Sequence, residues 1–188
     1  SGLERPAVAW TEIEPCTLSG SLSIHINDAD NDGYESVGDS VTVTANQCLV
    51  EVGEPAVNGT LGYRITDLRY DSLGYLVAGA FEMSFTNFTS AGLVLNGGAD
   101  VSVNYSEFII RYRNLSTSYE GQTLSQNYTF RDSATSGITV TGLYTINGST
   151  YTLSTPSAMR MGLVYPNTGM LRIEDGRGNR VDSFMLSS

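Results

Sequence analysis

Hydrophobic and polar residues alternate along most of this chain. The segment 22–26 (LSIHI) and the segment 41–45 (VTVTA) each place every second, apolar side chain on one face. A period of two is typical of β-strands, whereas no window keeps the i, i+3, i+4, i+7 apolar spacing of an amphipathic helix. The pattern recurs along the chain and predicts about a dozen strands, with segments 22–26 and 41–45 as the arms of a long hairpin.

Turn signals separate many of these predicted strands. Asn-Gly pairs occur at Asn58-Gly59, Asn96-Gly97 and Asn147-Gly148, and this dipeptide is the strongest short-range signal for a tight β-hairpin. We therefore expect strands that are neighbours in sequence to pair. The predicted fold is all-β, an antiparallel, meander-rich sandwich or barrel with a long hairpin near the N-terminus.

The chain also contains a short internal similarity. The segments 81–89 (FEMSFTNFT) and 108–116 (FIIRYRNLS) share aromatic, apolar and asparagine positions at the same offsets. We expect each asparagine, Asn87 and Asn114, to end a strand. A length of 188 residues fits one domain, so we divide the chain into an N-terminal arm, residues 1–15, and a single β domain, residues 16–188.

Between the two hairpin arms lies a stretch of concentrated negative charge. Counted from Asp28 as position 1, the residues with ligand oxygens occupy the positions of a twelve-residue calcium loop, and Gly33 at position 6 permits a sharp turn. The predicted ligands are Asp28, Asp30, Asp32, the Tyr34 carbonyl, Ser36 and Asp39. The alternative is an Asp/Asn-rich turn that stays solvated, but unbalanced carboxylates at this density would repel one another, which favours calcium.

This stretch resembles the EF-hand loop and, more closely, the loops of dockerin-like and other extracellular calcium proteins. It departs from the EF-hand because strands flank it and because the shorter Asp39 replaces the usual closing glutamate. The shorter closing ligand predicts weak binding, with a Kd of about 10⁻⁴ to 10⁻³ M, as in extracellular modules. With no mobile helix pair in the sequence, we expect calcium to stabilise the hairpin and not to serve as a signal.

Cys16 and Cys48 flank the aspartate-rich stretch almost symmetrically, as two facing positions on an antiparallel hairpin would. We interpret them as a disulfide, which indicates an oxidising compartment, the periplasm or the cell exterior. Two buried free thiols are the alternative. The order of cysteine, strand, acidic loop, strand and cysteine resembles that of secreted β-rich proteins of Gram-negative bacteria, and this resemblance implies export and β-structure.

Charge and residue types narrow the function further. The net charge of −10 disfavours nucleic acid and anionic lipid as partners. No apolar run is long enough for a membrane span. The only histidine, His25, falls on the polar face of its predicted strand, and no second histidine is present for Ser-His-Asp catalysis. We therefore expect no enzymatic activity.

The N-terminal arm carries a short alternating stretch from Ala7 to Ile13, bounded by prolines at positions 6 and 15. Such a strand can pair with the sheet of its own domain or with the edge of a neighbouring subunit. The early disulfide and the alternating arm are similar to those of donor-strand pilins. For self-association the predicted assembly residues are Ala7, Val8, Ala9, Trp10 and Ile13.

Together these patterns predict a secreted structural protein of the cell surface, stabilised by calcium and a disulfide, whose N-terminal strand builds a filament or surface layer. The alternative is a secreted glycan- or protein-binding module. Eleven tyrosines favour that alternative, since sugars stack on exposed aromatic rings, although packing inside the sheet is the commoner role of strand tyrosines.

Overall fold

A computed structural model of the chain describes residues 9–161 and 166–184, and it contains twelve strands over those ranges. The strands are β1 (Trp10–Pro15), β2 (Ser19–Asn27), β3 (Ser40–Leu49), β4 (Val57–Tyr70), β5 (Leu76–Ser90), β6 (Leu93–Asn104), β7 (Glu107–Tyr119), β8 (Gln122–Ser133), β9 (Gly137–Ile146), β10 (Ser149–Met161), β11 (Pro166–Asp175) and β12 (Arg180–Phe184). In the part of the chain that the structure describes, no helix has the length and apolar character of a membrane span.

All twelve strands belong to one sheet in which the spatial order equals the sequence order. Every pair of strands that follow each other in sequence is hydrogen-bonded and antiparallel. The predicted all-β antiparallel meander is confirmed. The sheet is open, with β1 and β12 as its two edges over the described residues.

Where β4 to β9 pair without a register shift, alternation gives the sheet one apolar and one polar face. Residues paired directly across neighbouring strands share a face, and this part of the sheet joins large apolar side chains into one row. The members of this row are Ile65, Phe81, Val101, Ile110, Phe130 and Val140. The next row on the opposite face carries charges, Arg64, Glu82, Asp100 and Arg111.

The core on the apolar face is thin. Aromatic rings meet across adjacent strands, as in the pairs Tyr112–Tyr128 and Tyr144–Tyr151, whose centroids lie 4.7 and 5.1 Å apart. Yet none of the large side chains in the described residues is fully buried. The buried apolar residues are Ala45, Cys48, Ile65, Ala78, Ala99, Ile138 and Met159. Much of the apolar face therefore keeps partial contact with solvent.

Only one of the three Asn-Gly pairs forms the predicted hairpin turn. Asn147-Gly148 joins β9 to β10, but Asn58-Gly59 lies inside β4 and Asn96-Gly97 lies inside β6. The prediction of a tight turn was wrong at these two pairs. The register shifts beside both of them, so that two residues of the neighbouring strand face one, and the strands continue through a β-bulge instead of reversing.

These bulges explain the internal similarity between the segments 81–89 and 108–116. Asn87 and Asn114 lie inside β5 and β7, with left-handed φ angles of 45° and 48°, so the expectation that they end strands was wrong. Each faces a glycine of the preceding strand, Gly59 or Gly97, whose φ is 90° or 102°. The Asn87 N–H donates to Asn96 Oδ1 at 2.7 Å, which satisfies a donor that the bulge could otherwise leave unpaired.

Substitution of Gly59 by alanine tests this arrangement. A Cβ at Gly59 would overlap the carbonyl group of Asn87, whereas a Cβ at Gly148, with a similar φ of 84°, meets nothing within 4 Å. We expect Gly59→Ala to lower the free energy of unfolding by about 3 kcal/mol and Gly148→Ala by about 1 kcal/mol, because only the former adds steric overlap to backbone strain. Urea denaturation of both variants measures the difference, and equal losses would contradict the bulge geometry.

Candidate metal centre and adjoining cavity

The aspartate loop, residues 28–39, joins the end of β2 to the start of β3. The disulfide between Cys16 and Cys48 lies at the other end of this hairpin, with the two Cα atoms 5.4 Å apart. The predicted disulfide is confirmed, and free thiols are excluded at both cysteines. A stable disulfide indicates an oxidising compartment outside the cytosol.

Three of the predicted ligand residues converge at the tip of the hairpin. One carboxylate oxygen from each of Asp28, Asp30 and Asp32 lies within 4.8 Å of the other two. The chain curls here because Asn31 and Gly33 have left-handed φ angles of 70° and 77°, which turns the alternate side chains toward one point. Asp28 is half-buried, and the other two carboxylates are exposed.

The carboxylate of Asp28 also organises the backbone of the loop. Its Oδ1 accepts the N–H of Asn31 at 2.7 Å, and its Oδ2 accepts the N–H of Gly33 at 2.8 Å. The hydrogen bond from Gly33 is the main reason that the pKa of Asp28 lies below its ordinary value, and it outweighs the opposing effect of partial burial. Asp28 is therefore held in the charged form that a metal ligand requires.

Asp39 closes the loop by hydrogen bonding to the backbone. Its Oδ1 accepts the N–H of Ala29 at 2.8 Å, and its Oδ2 accepts the N–H of Ser36 at 2.7 Å. The Ser36 hydroxyl donates to the same carboxylate at 3.2 Å. The backbone of Asp39 also accepts the Ile65 N–H at 2.9 Å, which ties the loop to β4. Neither Ser36 nor Asp39 belongs to the group formed by the three converging aspartates.

Tyr34, whose carbonyl is the predicted position-7 ligand, lies in the same turn. Its N–H donates to Asp32 Oδ1 at 2.7 Å, and its side chain is 78% exposed. The three converging carboxylates are hard oxygen donors, which suit calcium, and calcium takes six to eight oxygens in total. The group can hold a metal ion if carbonyl groups and water complete the shell.

The lowered pKa of Asp28 predicts a pH dependence. A carboxyl group with a depressed folded-state pKa stabilises the fold above its ordinary pKa of 3.8, and this contribution is lost as the pH falls through the folded-state value. In calcium-free buffer we expect Asp28→Asn to be less stable than the original chain at pH 6, because asparagine offers one acceptor oxygen instead of two. The difference should vanish well below pH 3.8. Urea denaturation at several pH values measures it, with Asp132→Asn, an exposed strand position, as the control.

A cavity of about 240 Å³ lies between the aspartate loop and the apolar face of β1 to β4. We call it the loop cavity, and its lining residues are Trp10, Ile26, Asn27, Asp28, Gly33, Tyr34, Glu35, Asp39, Ser40, Val41, Tyr63 and Ile65. Burial, with a smaller contribution from the negative charge of Glu35, raises the pKa of Tyr63. This cavity was not predicted from the sequence. Alternation in the sequence indicates that Ile26, Val41 and Tyr63 each lie on the apolar face of their strand. Only the register between the strands shows that these residues form one row with Trp10.

The structure places part of the predicted assembly segment. Ala7 and Val8 lie outside the described residues, and Ala9 directly precedes β1. Trp10 and Ile13 lie in β1, which pairs with β2 of the same chain, so own-sheet pairing is the alternative that the structure shows. Ile13 is 70% exposed.

His25 lies where the alternation predicted it, exposed on the polar face and opposite Thr11 of β1. Its Nδ1 is 3.0 Å from the Thr11 hydroxyl oxygen. The imidazole therefore contributes to the pairing of β1 with β2.

No protein-family model matches this chain, and neither a curated protein nor a solved structure matches it.

Proposed function

We propose that this chain is an extracellular structural protein of a cell surface, stabilised by calcium at the aspartate loop and able to assemble through β1 into a fibre or surface layer. The convergence of Asp28, Asp30 and Asp32 at the tip of a hairpin with a disulfide at its base carries this proposal. A disulfide at one end of a hairpin and a calcium ion at the other would stabilise the fold against unfolding outside the cell.

The large exposed surface supports assembly. The chain exposes 12167 Å², whereas a compact monomer of its mass exposes about 8,700 Å². Part of this difference can come from the residues outside the described ranges. Even if those residues were as accessible as an extended chain, the remaining surface would exceed that of a compact monomer by on the order of 1,000 Å². Together with the thin core, this excess favours an arrangement in which copies of the chain cover part of each other's surface.

The free edge of β1 supports the N-terminal strand as the point of contact. Among the described strands β1 is an edge strand of an open sheet, and all six of its residues are exposed. An edge strand has unpaired backbone groups that can extend a sheet into another molecule. A contact between different surfaces of successive copies adds subunits without closing and therefore builds filaments.

Negative-stain microscopy of the purified chain tests the proposal. We expect filaments or sheets in millimolar calcium, fewer of them in chelator, and only monomers or amorphous aggregates after deletion of residues 1–14. Circular dichroism of the truncated chain checks that it still folds, which we expect because β1 contributes only the edge of the sheet. Normal assembly of the truncated chain would contradict the role of β1, and dispersed monomers of the full chain in calcium would contradict the structural function itself.

A binding module for glycans or proteins is the second candidate, and exposed aromatic residues favour it. Tyr34, Tyr75 and Tyr105 are 78%, 67% and 80% exposed. They lie in the β2–β3, β4–β5 and β6–β7 connections, which share one end of the sheet because successive strands alternate in direction. Binding on a glycan array by monomeric protein that forms no filaments would favour this candidate.

A further inference from the structure

The loop cavity has an apolar floor with an aromatic side chain at each end. The strand register aligns Trp10, Ile26, Val41 and Tyr63 on the apolar face of four successive strands, and Ile65 follows Tyr63 on the same face and is buried. The aspartate loop supplies the other side of the cavity, including Tyr34 and Glu35. A ligand here therefore touches aromatic and aliphatic surface from β1 to β4.

The charge of the lining is entirely negative. Asp28, Glu35 and Asp39 line the loop cavity, and no arginine or histidine is present among its lining residues. The carboxylates of Asp28 and Asp39 accept backbone N–H groups of the loop. Within the described residues Glu35 has no ion-pair partner, and its side chain is exposed. Glu35 is thus the acid best placed to interact with a charged ligand.

We propose that the loop cavity binds a small organic ammonium ion, with its alkyl groups against the apolar floor and its charge between Glu35 and an aromatic ring of the lining. Aromatic faces attract cations whose hydration is weak, and a quaternary ammonium is the usual example. The three carboxylates disfavour anions, and a neutral ligand lacks the charge–charge attraction to Glu35. The volume of about 240 Å³ lies just below the range for drug-sized ligands, which suits a head group of choline size.

The single tryptophan of the chain makes this proposal directly measurable. Trp10 lines the loop cavity, so its fluorescence reports occupancy of this site without an added label. The full chain, in chelator so that no calcium ion neutralises Asp28 and few filaments form, is titrated with choline and separately with 3,3-dimethyl-1-butanol, which has the same shape without the charge. We expect a saturable change in emission with choline and about tenfold weaker binding of the neutral alcohol, because cation–π attraction and Glu35 act on the charge alone. Equal binding of both probes, or no saturable response to choline, would overturn the proposal.

Two variants separate the site from general surface effects. We expect Glu35→Gln to weaken choline binding about threefold to tenfold, whereas Glu51→Gln, which changes an exposed acid in the β3–β4 connection, should leave binding unchanged. Calorimetry compares choline binding by Trp10→Ala, in which tryptophan fluorescence is lost, with binding by Tyr119→Ala, which changes a similarly exposed aromatic residue outside the loop cavity. Only Trp10→Ala should weaken binding. Unchanged binding in Glu35→Gln, with the fold verified by circular dichroism, would remove the assigned role of the carboxylate and sink the proposal.

The ammonium group can belong to a free solute or to a lipid head group. Sedimentation of the protein with phosphatidylcholine vesicles, competed by free choline, would assign the lipid source. Choline binding without sedimentation would assign a free solute. Either result upholds the ligand class, and sedimentation of the protein without vesicles separates lipid binding from self-association.

Discussion

Removal of the Cys16–Cys48 disulfide is expected to lower the free energy of unfolding by roughly 3–4 kcal/mol. The two cysteines are 32 residues apart in sequence, and a cross-link over such a loop restricts the unfolded chain far more than the folded one. For a chain of this length the loss corresponds to a fall of about 10 °C in Tm. Thermal and urea denaturation of the double variant Cys16→Ser, Cys48→Ser measure it.

Reductant provides the matched control for this experiment. Added to the original chain, it should reproduce the stability of the double variant, and added to the double variant it should change nothing. Equal stability of the original chain and the double variant would show that the hairpin is already restricted without the cross-link. Loss of stability only on addition of reductant to the double variant would indicate an effect unrelated to the disulfide.

Calcium is expected to raise the free energy of unfolding by about 1–3 kcal/mol at 10 mM, given a Kd of about 10⁻⁴ to 10⁻³ M. The gain arises because the ion binds the folded loop, where three carboxylates converge, and not the unfolded chain. Asp30→Asn should abolish most of this gain. Asp30 is exposed and is part of the converging group, and the backbone hydrogen bonds described for the loop go to Asp28, Asp32 and Asp39.

Melting curves in calcium, in chelator and in sodium chloride of equal ionic strength measure this effect. Asp132→Asn carries the same change in charge at an exposed position of β8 and should keep the full response to calcium. A response to sodium chloride as large as that to calcium would indicate general screening. A full calcium response in Asp30→Asn would exclude the proposed centre.

Local sequence patterns account for most of the strands but not for their lengths. The segments 22–26 and 41–45 were predicted from alternation and lie inside the longer strands β2 and β3. Asn58-Gly59 was predicted to form a turn, but the same dipeptide also occurs in β-bulges in which a residue of the adjacent strand has a left-handed φ angle. The choice depends on whether Asn87 of the adjacent strand takes a left-handed φ, and this contact between distant residues leaves no local signal.

The aspartate group and the loop cavity likewise differ in how far the local sequence predicts them. The convergence of Asp28, Asp30 and Asp32 follows from spacing within five residues, so the sequence was sufficient to predict it. The loop cavity requires the pairing of Trp10 with Ile26 and the fold of the loop over the apolar face. Such a site depends on register between strands, and a shift of one residue would turn Trp10 to the other face.

The meander order of the sheet also bears on how the chain reaches its native state. Every strand has its partners immediately before and after it in the sequence, so no strand waits for a segment that is synthesised much later. Pairing between sequence neighbours keeps loop-closure entropy small and favours rapid folding. A chain that emerges gradually from a ribosome can therefore add one strand at a time to a growing sheet, and each completed hairpin offers its outer edge to the next strand.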